Sequence, residues 1–65
     1  MKELIGENAG KIWGFLSAKG EQTIKEIKAG TKLTEKDLYT AIGWLARENK
    51  IEIKKVEKDL SISLV

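Results

Sequence analysis

Apolar and polar residues follow two different periods along this chain, one before residue 50 and one after it. From Glu3 to Lys19 the apolar residues recur every three or four positions, which predicts an amphipathic helix. The stripe consists of Ile5, Ala9, Ile12 and Leu16, with Phe15 on one side of it and Trp13 on the other. Gly20 then stands where a residue in the left-handed conformation commonly ends a helix.

A capping signal predicts a second, shorter helix. Thr23 is followed three residues later by Glu26, and this spacing allows each side chain to bond the other residue's backbone N–H in a capping box. We therefore expect a helix from Ile24 to Ala29, with Gly30 as its stop. The residues expected to face inward are Ile24 and Ile27.

A third helix is predicted where a similar signal recurs after the connector "TKL". Thr34 is followed three residues later by Asp37, and the helical period continues from Glu35 to Asn49. The positions expected to be buried are Leu38, Ala41, Ile42 and Leu45.

After Lys50 the apolar residues alternate with polar ones, at a period of about 2 that is typical of strands. The segments "IEIKKV" and "LSISLV" therefore predict a hairpin, with "EKD" as its turn. The positions assigned to the inner face are Ile51, Ile53, Leu60, Ile62 and Leu64, and those assigned outward are Glu52, Lys54, Ser61 and Ser63. Val56 has the wrong parity for the inner face, so we expect a bulge or the start of the loop there.

Together these elements predict a mainly α fold with a small antiparallel β-hairpin. The order of three helices and a C-terminal hairpin, with the second and third helices joined by a few residues, is that of a winged helix-turn-helix. The dipeptide "QT" before the second helix could add one short strand, since two strands alone are marginally stable. We expect a single domain over residues 1–65.

Two stretches also carry a resemblance to a known family. "AGKIWGFL" and "AIGWLARENKIEI" resemble a small family of uncharacterised prokaryotic winged helix-turn-helix proteins, and the resemblance covers nearly the whole chain. "GWLARE" is the more specific marker of the two. The resemblance implies the winged-helix fold, and it implies little about function because the family has no assigned role.

Length and composition exclude several classes of protein. A chain of 65 residues without Cys or His lacks disulfides, the usual zinc ligands and the common nucleophile–base arrangements. It could hardly enclose a substrate pocket of the usual size, roughly several hundred cubic ångströms. We therefore expect no enzyme, no cofactor and no metal. The sequence has no apolar run near the roughly 18 residues that span a bilayer and no secretory signal, so a cytoplasmic protein is expected.

The stretch "GENAGKIWG" raises two alternatives. As a phosphate loop it fails, because only three residues separate Gly6 from Gly10 and because Ile12 replaces the hydroxyl residue that should follow Lys11. The other feature is spacing: Gly6, Gly10 and Gly14 form a face of the first helix without side chains. Such a face permits close packing of another backbone, within the domain or from a second copy. Simple tolerance of glycine is the alternative.

The third helix would be the recognition helix of a DNA-binding protein, lying in the major groove. Opposite its buried stripe the sequence places Glu35, Lys36, Tyr39, Thr40, Gly43 and Arg47. The candidates for contact with double-stranded DNA are Lys36, Tyr39, Thr40 and Arg47, which can bond bases or neutralise phosphates. From Thr34 to Asn49, however, two basic residues stand against three acidic ones, so a solvated face of mixed charge is an equal alternative.

The hairpin adds further candidates for the same interface. Lys54, Lys55 and Lys58 cluster near its tip, where a wing would meet DNA phosphates. Lysines on an exposed hairpin also discourage pairing of its edge with other chains, and the two interpretations carry similar weight.

Two tryptophans are a large aromatic share for so small a core. Trp44 lies about 120° from the centre of the third helix's stripe, so it should be only partly buried. We interpret Trp13 and Trp44 mainly as core residues, with an exposed patch that binds a second chain as the alternative.

Two functional hypotheses from different classes result. The first is a DNA-binding protein, such as a dimeric transcriptional regulator. The second is a protein-interaction module, such as a homodimer formed through Gly6, Gly10, Trp13, Gly14 and Trp44 without DNA. The fold alone does not decide between them.

Overall fold

A computed structural model describes the backbone of residues 2–65 and the side chains from residue 4 onward. The elements in chain order are α1 (Lys2–Lys19), β1 (Gln22–Thr23), α2 (Ile24–Thr31), α3 (Glu35–Arg47), β2 (Ile51–Val56) and β3 (Asp59–Leu64). Three helices and a three-stranded antiparallel sheet form the predicted winged helix-turn-helix, which confirms the fold class.

Helix α1 ends as its sequence predicts. Gly20 adopts a positive φ of 81°, and its N–H donates to the Leu16 carbonyl at 2.7 Å. Glycine reaches this left-handed conformation without the steric penalty that a Cβ brings, so it closes the last turn.

Helix α2 begins with the predicted capping box but does not end at the predicted residue. The Thr23 N–H donates to the Glu26 carboxylate at 2.8 Å, and the Glu26 N–H donates to the Thr23 hydroxyl at 3.2 Å. The prediction of Gly30 as the stop is wrong, because the helix continues to Thr31 and Lys32 takes the left-handed conformation at φ 60°. A Cβ on Gly30 would lie 2.2 Å from the Phe15 ring, so this glycine allows α1 and α2 to approach.

Helix α3 is capped at both ends. At its start the Asp37 N–H donates to the Thr34 hydroxyl at 3.2 Å, as predicted. Its end comes two residues earlier than predicted, because Asn49 adopts a positive φ of 58°. The Asn49 N–H then donates to the Ala46 carbonyl and the Lys50 N–H to the Leu45 carbonyl, which is the Schellman pattern.

The sheet has the strand order β1-β3-β2, so the short strand "QT" does add to the hairpin. Strands β2 and β3 pair in register from Ile51 opposite Leu64 to Val56 opposite Asp59. The bulge or loop start predicted at Val56 is therefore wrong: Val56 belongs to the strand, and Glu57 and Lys58 alone form the turn. Glu57 supplies the positive φ, 34°, that glycine would normally provide.

The core lies where the three helices meet one face of the sheet. It contains Ala9, Ile12, Leu16, Ile24, Ile27, Leu38, Ala41, Ile42, Leu45, Ile51 and Ile62. Two strand positions depart from the predicted alternation. Ile53 is 44% exposed on the edge strand β2, although Ile62 opposite it on the central strand β3 is fully buried. Ser61, assigned outward, is 6% exposed, because β1 pairs beside it and its hydroxyl bonds the Glu21 carboxylate.

Candidate nucleic-acid interface

The side of α3 that faces away from the core carries both of its cations. At about 100° per residue, Lys36 and Arg47 lie within about 20° of each other, with Thr40 and Gly43 between them along the helix. All four residues are exposed, and no atom beyond the chain neighbours and the helix's own local backbone lies within 4 Å of the position of a Cβ on Gly43. The centre of this face is therefore low and uncovered, with a positive charge towards each end.

The acidic residues of α3 lie off this face. Glu35, Asp37 and the C-cap residue Glu48 are each about 90° or more from the mean direction of Lys36 and Arg47. Glu35 is turned towards α2, where its carboxylate pairs with the Lys28 ammonium at 3.2 Å. The segment from Thr34 to Asn49 has a formal charge of −1, but its basic and acidic side chains are separated in space: the basic ones face outward and the acidic ones lie on the flanks.

The tip of the hairpin meets α3 beside Tyr39. A shallow groove there is lined by Tyr39, Lys55, Glu57, Lys58, Asp59 and Leu60. The hairpin is held in this place by Asp59, whose carboxylate accepts from the Lys25 N–H at the start of α2, at 3.3 Å. We call the six residues Lys36, Tyr39, Thr40, Arg47, Lys55 and Lys58 the helix–wing face.

Lys54 is not part of that face. Successive residues of a strand point to opposite sides of the sheet, and Lys55 is paired with Leu60 while Lys54 is paired with Ser61. Lys55 therefore shares the side of the buried residues Ile51 and Ile62, which is the side of α3, and Lys54 lies on the reverse side. The three lysines predicted as one cluster are divided two to one.

Both tryptophans are surface residues, so the interpretation of the pair as core is wrong. Trp13 is 47% exposed and Trp44 42% exposed, the latter as partly buried as its angle predicted. Their two helices pack so that both rings line one open groove of about 300 Å³. We call it the tryptophan groove, and its lining residues are Ala9, Gly10, Trp13, Trp44, Leu45, Glu48 and Lys50.

The three glycines of α1 also face solvent. No atom outside the helix's own local backbone lies within 4 Å of a Cβ built on Gly6, Gly10 or Gly14. Close packing of another backbone from within the domain is therefore wrong for these residues, and packing by a second copy and simple tolerance of glycine remain as the alternatives. Gly10 belongs at once to this glycine face and to the tryptophan groove, which makes the two surfaces continuous.

With this geometry in place, comparison with known proteins identifies the family. Residues 1–64 match the family described as "Winged helix-turn-helix domain (DUF2582)". The chain belongs to the DUF2582 family. The family predicted from the resemblance is thereby confirmed as a winged helix-turn-helix family, a fold that is typically not enzymatic.

Two relatives of this DUF2582 domain come from different organisms. The uncharacterised protein MJ1608 of Methanocaldococcus jannaschii is 42% identical over 66 residues, which cover 92% of this chain and 89% of that protein. Protein BT2368 of Bacteroides thetaiotaomicron, whose structure was determined by solution NMR, matches with a TM-score of 0.85 and 35% identity. The match covers 97% of this chain and 77% of that one.

Nothing in the sequence indicated that one polar residue of this DUF2582 domain, near the candidate interface, would be buried. Asn8 is 3% exposed, and it lines a groove between α1 and the start of α3 together with Lys36, Asp37 and Thr40. Its position borders the apolar stripe of α1, on the side that faces the start of α3. A polar residue beside an apolar stripe gives no indication of how far the neighbouring helix covers it.

Two further observations concern membranes and metals. From Lys2 onward, no helix is both long and apolar enough to cross a bilayer. Among the residues whose side chains are described, no group of three or more acidic side chains could hold a metal ion.

Proposed function

We propose that this DUF2582 domain binds double-stranded DNA through the helix–wing face. Helix α3 would lie in the major groove, and Lys55 and Lys58 at the hairpin tip would contact phosphates beside it. The observation that carries the proposal is the groove shared by Tyr39 of α3 and the two lysines of the hairpin tip.

The distribution of charge supports this proposal. Lys36 and Arg47 stand on the outward side of α3, while Glu35 is neutralised by Lys28. Repulsion between DNA and the acidic residues is reduced because those residues lie on the flanks. Phosphate neutralisation supplies most non-specific affinity, so the charge that faces the DNA matters more than the total on the helix.

The shape of the face supports it as well. Thr40 and Gly43 are short, so the middle of α3 can approach base edges while the longer cations at its ends reach phosphates. The Thr40 hydroxyl donates to the Lys36 carbonyl at 2.7 Å, and its oxygen remains an acceptor towards solvent. Tyr39, which is exposed, offers both a hydroxyl and an aromatic ring between the helix and the wing.

A titration of isotope-labelled protein with a generic duplex at low salt tests the proposal. Amide shifts at Lys36, Tyr39, Thr40, Lys55 and Lys58 are expected, with none at the glycines of α1. The glycines serve as the internal control, because they lie on α1, outside the helix–wing face. A titration that moves no resonance of α3 or the hairpin tip would refute DNA binding.

A role as a transcriptional regulator in the cytoplasm goes with this proposal, and binding rather than catalysis would be its activity. The competing function is protein interaction without DNA. The exposure of both tryptophans favours it, since paired surface aromatics are enriched in protein interfaces. The same titration separates the two functions, because the competing one predicts no response to the duplex.

A further inference from the structure

The tryptophan groove and the glycine face leave an apolar, low surface on α1 that the domain itself does not cover. Trp13 and Trp44 line the groove, and Gly10 joins it to the glycine face. We propose that this surface pairs with the same surface of a second copy, with the two α1 helices antiparallel and crossing at Gly10.

The two tryptophans of each copy bury too little area to form a stable interface by themselves. Four half-exposed tryptophan side chains in a dimer would bury about 400 Å², whereas a specific interface buries roughly 1,200 Å² or more. The area that is missing lies on the adjoining glycine face, which runs along α1 beside Trp13. A partner that covers the groove must therefore also lie along this helix.

The glycine spacing is self-complementary, as a two-fold interface requires. Because Gly6 and Gly14 are equally distant in sequence from Gly10, antiparallel helices that cross at Gly10 place Gly6 opposite the partner copy's equivalent of Gly14, and the reverse. Glycines at both sides of the crossing allow the two backbones to approach without steric conflict. The face points away from the core, so the two domains lie on opposite sides of the helix pair.

The charges beside the face fit the same arrangement. Glu7 lies about 60° to one side of Gly10 and Trp13 about 60° to the other, with Lys11 about 100° away on the side of Glu7. In the antiparallel pair each Glu7 comes within about 3 Å, measured along the helix axis, of the other copy's Lys11. Both charged residues are exposed. Two opposite-charge pairs therefore form on one side of the crossing, and the tryptophans of both copies gather on the other.

Steric variants test the crossing point. Sedimentation equilibrium over a concentration series up to about 1 mM should give a species of twice the 7.3 kDa chain mass. Gly10→Leu should weaken association roughly tenfold or more, because the side chain separates the backbones at their closest approach. Gly43→Leu is the matched control, since Gly43 is an equally open helical glycine away from this surface, and it should leave association unchanged.

Charge variants test the antiparallel orientation. Glu7→Lys and Lys11→Glu should each weaken self-association roughly threefold or more, because each brings two like-charged pairs together. An equimolar mixture of the two variants should recover the wild-type mass, since every pair is then of opposite charge. No DNA is present in either assay, so the outcome does not depend on the proposed function.

A wild-type chain that stays monomeric over the whole series would overturn the proposal. Association that Gly10→Leu leaves unchanged would also overturn it, as would a mixture of the two charge variants that associates no better than each variant alone.

Discussion

The helix–wing face and the glycine face with its tryptophan groove adjoin on one small domain, where Arg47 and Trp44 line a common groove, but they are built in opposite ways. The first gathers long cations at its edges around a polar centre, at Lys36, Arg47, Lys55 and Lys58. The second presents bare backbone at the three glycines and two half-exposed tryptophans. Charge on the first face suits a polyanion, and apolar area on the second suits another protein surface.

The difference shows how α3 contributes to both surfaces. Its outward side carries the cations, Trp44 on one flank belongs to the groove, and Tyr39 on the other flank meets the hairpin tip. Only its fourth side, centred on Leu38 and Leu45, belongs to the core. The two surfaces therefore differ in chemistry but depend on the same buried residues.

Removing a core contact of α3 should impair both surfaces together, because both depend on the folded domain. Leu38 is fully buried, so Leu38→Ala should lower the free energy of unfolding by about 2–5 kcal/mol. A domain of this size has only about 3–10 kcal/mol in total, so both proposed binding activities should fall together. Chemical denaturation measures the loss, and Thr40→Ala on the outward side should change it by less than about 0.5 kcal/mol. A Leu38→Ala variant of wild-type stability would contradict the core described above.

In the folded wild-type protein, the two proposed binding activities should differ most clearly in their dependence on salt concentration. If the four cations of the helix–wing face each contact one phosphate, DNA affinity should fall roughly a hundredfold between about 50 and about 200 mM salt. Self-association buries mainly apolar area and should change less than roughly threefold over the same range. Fluorescence anisotropy with a labelled duplex and sedimentation equilibrium measure the two. Equal salt dependence of DNA binding and self-association would contradict the assignment of charge-driven binding to one face and apolar binding to the other.

Charge reversal at neighbouring positions of the hairpin sharpens the comparison. Lys55→Glu should weaken DNA binding roughly tenfold, because the residue lies beside Tyr39 on the side of α3. Lys54→Glu makes the same change in net charge on the reverse side of the sheet and should have roughly a third of that effect or less. Binding isotherms at one fixed salt concentration compare them. Equal losses would indicate a response to net charge alone, without a defined wing contact.

The sequence predicted local structure well because local structure depends on neighbouring residues. The capping box of Thr23 and Glu26, the glycine stop at Gly20 and the apolar stripes all follow from spacings of four residues or fewer. The helix ends were less accurate. Lys32 and Asn49 adopt left-handed conformations that glycine usually takes, so the signal at Gly30 was misleading.

Burial was harder to predict, because it depends on how far a distant element reaches. Ile53 lies on the predicted face of the hairpin, yet it is exposed on the edge strand β2, whereas Ile62 opposite it on β3 is fully buried. Ser61 is buried where β1 pairs beside it, and its hydroxyl donates to the carboxylate of Glu21, forty residues away in sequence. The division of Lys54 from Lys55 could have been read from strand alternation, but the side that faces α3 becomes known only once the helices are placed.

The smallest expected effect is a difference in stability between alanine variants of two helical glycines, Gly10 in open surroundings and Gly30 in crowded ones. At Gly10 a Cβ meets nothing within 4 Å, so Gly10→Ala should stabilise the monomer by about 0.5–1 kcal/mol through helix propensity. At Gly30 a Cβ would meet the Phe15 ring at 2.2 Å, so Gly30→Ala gains the same propensity but must displace a partly buried side chain. Displacement costs about 1–3 kcal/mol, so Gly30→Ala should be less stable than Gly10→Ala by at least about 1 kcal/mol.

Thermal unfolding at a concentration too low for self-association measures this difference, and a higher Tm for Gly10→Ala than for the wild type is the decisive sign. A lower Tm would mean that Gly10 is needed within the monomer, against the open surroundings seen at that position. A higher Tm would mean that Gly10 does not stabilise the monomer, as expected if its role is the proposed close approach of a second α1 helix.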